Sequence, residues 1–412
     1  MQIGRVFTLR ILSSVVAAVS SIIVARVLGP EQRGIFAAAL VLPTTVAAFL
    51  DLGVSVSNVY FLNKSGRPGV LFINGMVFCS LMSLVFVAVC GAAFLLGIQK
   101  HYYQDVDDPW TIWLALSTAV LLIFQVFLRQ FLRGLHSYNT PVASRIYHDV
   151  LRLAGILALL YLFNITVAAL ILIAFLALLI VNVYLLGALL RKISLAGARP
   201  DFAQFKQSLS YGLRHFLGNV LNMLNTKIDL LILAPFLEKE VLGVYAVAVA
   251  LGQIMNFVPW AAGFVLYPKL AREHDKNRKR EILSHCVTAD LLLLLPAWLA
   301  FAVLGKWIVV TLYGEAYREV YVLTTILMGG SVLLSVVGLI NKYFSGTGRP
   351  ELSSLARLLN LPVKAAALYF LCRYFGVVGA SLSFAVSSFV LLLITSGVYG
   401  RIVRRDNRKA GD

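Results

Sequence analysis

The sequence predicts an all-α polytopic membrane protein, with twelve transmembrane helices in two six-helix bundles related by a pseudo-twofold axis along the membrane normal. Three observations carry that expectation. Of the 412 residues, 60% are hydrophobic and 13% charged, with mean hydropathy +0.85, which leaves too little polar surface for a water-soluble fold. Twelve apolar runs each approach the length of about 20 residues that a helix needs to cross the hydrocarbon core. The two halves of the chain also repeat one another.

The first six runs lie near residues 9–28, 36–60, 70–96, 110–132, 142–163 and 166–190, and make up an N-terminal bundle, 1–190. A basic linker, 191–208, follows. Runs near 209–235, 243–267, 285–304, 320–341, 352–371 and 377–399 then make up a C-terminal bundle, 209–400, before a basic tail, 401–412. The first run follows Arg5 and Arg10 in the manner of a signal peptide, but no small-x-small cleavage site comes after it, so it reads as a span. Lys and Arg fix the orientation. Of 36, 26 fall on the side of the termini and 7 on the other, so both termini are expected in the cytoplasm. The net charge of +17 then reads as a basic cytoplasmic face and not as a nucleic-acid site. The longest loops, 191–208 and 268–284, are too short for a soluble domain. Lys269 to Arg280 is a solvated basic run suited to anionic headgroups, and His101 to Trp110 an outer aromatic turn. Cys79, Cys90, Cys286 and Cys372 stand singly in apolar runs, so neither a disulfide nor a metal site is expected. Pro43, Pro259, Pro296 and Pro362 interrupt spans and mark bends.

The repeat is visible at an offset of 209, where Gly34-Ile-Phe-Ala matches Gly243-Val-Tyr-Ala, and then at 212, where Gly134 matches Gly346. The costly residues keep the register. Arg145 and Arg152 in the fifth span fall opposite Arg357 and Lys364 in the eleventh. Seven residues is two helical turns, so each span presents a cationic stripe on one face, with Asp149 added in one and Asn360 in the other.

Ionisable residues inside spans are expensive and are by default candidates for function. Asn219 to Pro235 is the other such stretch: Asn222, Asn225 and Asp229 stack on one helical face, and Lys227, two residues from Asp229, points nearly the opposite way. The asparagines suit sugar hydroxyls or helix packing. Arg152, Lys364 and Lys227 suit phosphate, Arg as a bidentate donor and Lys as a point charge. Each has a structural alternative: Arg152 pairing with Asp149, and the lysines snorkelling to the interface. Asp51 reads as a helix-end feature and Asp290 as a solvated or capping group. The histidines stand apart from any nucleophile, and no phosphate-cradling Gly-rich loop is present, so neither an enzyme nor a self-contained ATPase is expected, and no cofactor.

Ala25-Arg-Val-Leu-Gly-Pro-Glu-Gln-Arg-Gly-Ile-Phe, then Asp51-Leu-Gly, then Asp229 followed by Gly243-Val-Tyr, resemble the polysaccharide transporter branch of the multidrug/oligosaccharidyl-lipid/polysaccharide exporter superfamily. The resemblance covers all twelve runs. It implies a bacterial inner-membrane flippase that turns an undecaprenyl-diphosphate-linked oligosaccharide from the inner to the outer leaflet by alternating access, among membrane lipids and with glycan polymerase and export machinery as partners. Under that implication the cavity would be built from Arg152, Lys364, Lys227, Asn222, Asn225, Asp229, Arg145 and Arg357. A cation-coupled multidrug exporter of the same superfamily is the alternative. It would call for acidic groups, where the mid-span residues here offer as many cations.

Overall fold

The computed structural model describes residues 2–98, 103, 108–162, 165–273, 275–349 and 351–411, and among them every regular element is helical. Lipid offers no water to backbone groups, so a spanning segment must satisfy its own hydrogen bonds, and a helix does this within one chain segment. Eight helical stretches are long and apolar enough to cross a membrane. The chain is a multi-pass membrane protein.

One compact unit comprises residues 1–220 and 230–243. Its first helix, α1 (Gln2–Leu50), carries the first predicted span and the start of the second, bent only at Gly29 (φ 73°). A loop over 29–35 was expected. Instead the helix resumes at Pro30, whose fixed φ suits a first turn, and Gly29 alone supplies the positive-φ link. The predicted span 36–60 is in turn broken at Asp51–Gly53, where Leu52 and Gly53 have φ of 44° and 76°, before α2 (Val54–Ser65). The Asp51 carboxylate accepts from the Ser55 backbone N–H at 3.3 Å and from its hydroxyl, satisfying an orphan donor of the first turn of α2.

Four more helices follow: α3 (Pro68–Leu95), α4 (Pro109–Gly134), α5 (Asn139–Leu162) and α6 (Val167–Leu190). At 1.5 Å per residue the 24 residues of α6 reach about 36 Å, enough to cross the core. The centre is α4, which packs on α1, α2, α3 and α6. Ile123, Phe127, Phe131 and Leu132 form its fully buried face. Lipid tails are as apolar as these side chains, so close packing and internal polar bonds select the face. Asn182 of α6 supplies one such bond, donating to the Leu121 carbonyl of α4 at 2.9 Å. Buried Asn74 of α3 exchanges two with the Asp201 backbone, at 2.9 and 3.0 Å. The repeat-related glycines meet here too. A Cβ on Gly34 would lie 1.7 Å from the Lys239 carbonyl oxygen, and one on Gly243 would lie 1.9 Å from that of Pro30.

The second unit comprises residues 221–229 and 244–412. Helix α7 (Phe202–Leu233) supplies segments to both units, capped at its start by Asp201, which accepts from the Gln204 N–H at 3.0 Å. The predicted span 243–267 is shared by α8 (Lys239–Gly252) and α9 (Phe257–Arg272), separated by a tight turn at Gln253–Asn256. Then come α10 (Lys276–Tyr313), α11 (Val320–Gly346) and α12 (Glu351–Gly411), the last bent at Gly376 (φ 56°) and carrying both final predicted spans. Here α11 is the centre, packing on α9, α10 and α12. At an offset of 212 it is the counterpart of α4, so each half of the sequence repeat supplies the hub of one unit. On α10, Leu292, Val303 and Trp307 are exposed, as a lipid-facing side requires. The basic run from Lys269 closes α9 and opens α10, with Asp275 capping α10 through the Asn277 N–H at 2.9 Å.

Candidate functional site

Helix α5 sets the geometry of the first unit. Arg145, Asp149 and Arg152 stand at i, i+4 and i+7, so they share one face, and α5 packs against α1 and α6. Beside them opens a cavity of about 330 Å³. Its polar wall comprises Arg145, His148, Asp149 and Arg152 from α5, with Gln125 and Arg129 from α4 and Ser13 and Thr44 from α1.

Hydrogen bonds decide which of these charges are already matched. Both oxygens of Asp149 are engaged, one accepting from the Ser13 hydroxyl and the other 3.3 Å from His148 Nδ1. Arg129 donates from Nε to Ser144 Oγ at 2.9 Å, and Ser144 in turn donates to the Pro141 carbonyl, which fixes the guanidinium at the wall. Arg152 does not pair with Asp149. Its guanidinium lies 5.7 Å from the centroid of the Phe36 ring, a cation–π contact. Arg145 lies close enough to Arg129 for the two charges to repel. Among the described residues, three arginines therefore share the cavity with one carboxylate, an excess of two formal positive charges before His148 is counted.

The second unit treats its cations differently. Sequence grouped Lys364 with Arg152 as a phosphate partner, but Lys364 Nζ lies 3.0 Å from Asp229 Oδ2, the two side chains only 1% and 6% exposed. The sequence offers no sign of this ion pair. A buried ammonium without a counter-charge costs several kcal/mol, and the carboxylate of α7 matches it. Arg357 does line a cavity, of about 180 Å³, with Asn341 and Asn360. Asn360 donates to Ser387 Oγ at 2.8 Å. The side chains of Asn222, Asn225 and Lys227 lie outside the described residues. Asp290, expected as a solvated or capping group, is buried on α10 beside Ser335 of α11.

The structure thus brings Arg145 and Arg152 together with Arg129, a residue not singled out from the sequence. It had a signal. Arg129 lies one turn beyond Gln125 and before the helix end at Gly134, hence inside α4. Among the described residues no cluster of three or more His, Cys, Asp or Glu side chains could hold a metal ion.

A family model described as polysaccharide biosynthesis protein matches residues 3–274. A probable low-salt glycan biosynthesis flippase of Haloferax volcanii is 23% identical over 201 residues, 48% of this chain and 43% of its own length, so the match spans less than half of that relative. A putative O-antigen transporter of Shigella flexneri is 20% identical over 397 residues, 92% of each chain. Among solved structures, the lipid II flippase MurJ in an inward closed conformation superposes with a TM-score of 0.79 at 10% identity, covering 96% of this chain and 87% of its own, a likeness of fold. With the family model matching well over half of its length, the chain belongs to the polysaccharide biosynthesis protein family.

Proposed function

We propose that the chain is a flippase that moves an undecaprenyl-diphosphate-linked oligosaccharide from the inner to the outer leaflet of a bacterial plasma membrane for surface polysaccharide biosynthesis. In this reading it works as two bundles, 1–190 and 209–400, by alternating access, with both termini cytoplasmic. One observation carries the reading: the arginine cavity of the first unit holds two positive charges more than its own carboxylate neutralises. In a low-dielectric surround such an excess calls for an anion, and a diphosphate diester brings two negative charges.

The residues divide the work by their chemistry. Arg145 and Arg152, two turns apart on one face, offer planar forks that match phosphate oxygens in bidentate pairs. Arg129 adds a third positive charge from a fixed position, and Asp149, held by Ser13 and His148, keeps the cavity from being more cationic than its ligand. Lys364 has no share in phosphate binding, because Asp229 occupies it.

The test is complementation of a deletion strain with Arg145→Gln/Arg152→Gln. Surface glycan should fall at least tenfold, with the diphosphate-linked saccharide accumulating on the cytoplasmic leaflet and the protein inserted at wild-type level. Normal surface glycan from that variant would overturn the assignment.

A further inference from the structure

The second unit's cavity is the first one's counterpart. At an offset of 212, Leu122, Arg129, Arg145 and His148 become Leu334, Asn341, Arg357 and Asn360, and all eight line their respective cavities. The chemistry has diverged at matching positions. One arginine has become an asparagine and the histidine another, and the counterpart of Arg152 is the lysine held by Asp229. Among the described residues a single arginine remains, and no carboxylate lines the space.

From this lining we infer that the cavity of the second unit binds a pyranose ring of the transported saccharide; the inference rests on the flippase reading. An amide side chain presents a donor and an acceptor together, which matches a sugar hydroxyl that does both; a wall of amides does little for a dianion. Asn341 is nine-tenths buried and its Oδ1 has no hydrogen-bond partner, so the wall of the cavity keeps an unsatisfied amide acceptor. Phe384 lines the same space and adds apolar surface for the C–H side of a pyranose. Gly338 also lines it, and a Cβ there would meet nothing within 4 Å. At about 180 Å³ the space is below the roughly 300 Å³ at which drug-sized pockets begin, and it suits one ring.

The test uses the full chain purified in nanodiscs, with two probes: a panel of uncharged methyl hexopyranosides, and inorganic pyrophosphate. At least one glycoside should bind the wild type. Asn341→Leu, which removes the acceptor, and Gly338→Leu, which projects into the space from a Cβ that meets no neighbour, should each weaken that glycoside at least tenfold and leave pyrophosphate binding and the melting temperature unchanged. Arg145→Gln/Arg152→Gln should do the reverse. In cells, Asn341→Leu should slow glycan delivery, because the sugar belongs to the transported lipid. The proposal is overturned if no glycoside binds, if glycoside binding survives both leucine variants, if either variant costs pyrophosphate affinity instead, or if delivery proceeds at the wild-type rate. Loss of the flippase reading alone would look different: pyrophosphate would fail to bind while the glycoside still answered to Asn341.

Discussion

Replacing Lys364 with Met while Asp229 stays in place should destabilise the second unit by about 3–5 kcal/mol, because it leaves a buried carboxylate without its counter-ion. At a separation of 3.0 Å and an effective dielectric constant of about 20, the direct attraction is about 5.5 kcal/mol. Desolvating both groups costs an amount of the same order, so the intact pair is close to neutral in net terms, and each partner mainly cancels the other's penalty. The Lys364 ammonium also lies 5.4 Å from the centroid of the Phe384 ring, a contact that a Met side chain fills without charge. Asp229→Leu alone should cost a similar amount. The double variant Asp229→Leu/Lys364→Met should return to within about 1 kcal/mol of wild type, since an apolar pair of similar volume replaces a buried ion pair at little cost. Unfolding of the four proteins in detergent, analysed as a double-mutant cycle, measures this. The double variant should also transport at the wild-type rate, since neither residue touches phosphate in this account. Additive losses in the cycle would refute the pairing argument, and transport lost in a stable double variant would restore Lys364 as a substrate contact.

Arg129→Gln should lower transport about tenfold by removing a fixed cation from the cavity, and a lipid-linked saccharide assay on complemented cells reads it. Gly34→Ala should destabilise by about 1–3 kcal/mol, since its Cβ would lie 1.7 Å from the Lys239 carbonyl oxygen, a clash that backbone must absorb; thermal unfolding in detergent checks it. Asp108 caps α4 through the Trp110 and Thr111 N–H groups, both at 3.1 Å, and these bonds, with one from the Thr111 hydroxyl, hold its carboxyl below the usual 3.8. A depressed folded value means that its contribution is complete above the unfolded value and is lost as pH falls through the folded one. Unfolding midpoints should therefore drop more steeply below about pH 4 in wild type than in Asp108→Asn, which caps without titrating.

The helices were legible because lipid allows few alternatives: an apolar run of sufficient length becomes a helix. Their interruptions were less so. Pro30 suggested a loop, yet it sits where a proline starts a helix, and nothing local distinguishes a single-residue bend at Gly29 from a longer connection. The break at Asp51–Gly53 was visible only as an Asp-Leu-Gly triplet inside an apolar run. The repeat was the most informative sequence feature, since its register of 212 sets Leu122, Arg129, Arg145 and His148 of one cavity opposite Leu334, Asn341, Arg357 and Asn360 of the other. Arg145 and Arg152 could be placed on one face from spacing alone. The bond between Lys364 and Asp229 could not be read, because it joins α12 to α7 across distant parts of the chain and leaves no local pattern. Asp229 was instead read with its asparagine neighbours, as a cavity wall. Arg129 was missed for the opposite reason: its proximity to Arg133 and the helix end made it look like an ordinary cytoplasmic flank.

The central claim is that the arginine cavity of the first unit holds the head of the transported lipid. A photoreactive benzoylphenylalanine at Leu122, which lines that cavity, tests it in living cells, with Leu292, exposed on α10, as the lipid-facing control. The account predicts a crosslinked adduct at Leu122 that carries phosphate and sugar and disappears in Arg145→Gln/Arg152→Gln. Equal adducts at both positions, or none at Leu122 in cells that still deliver surface glycan, would contradict it.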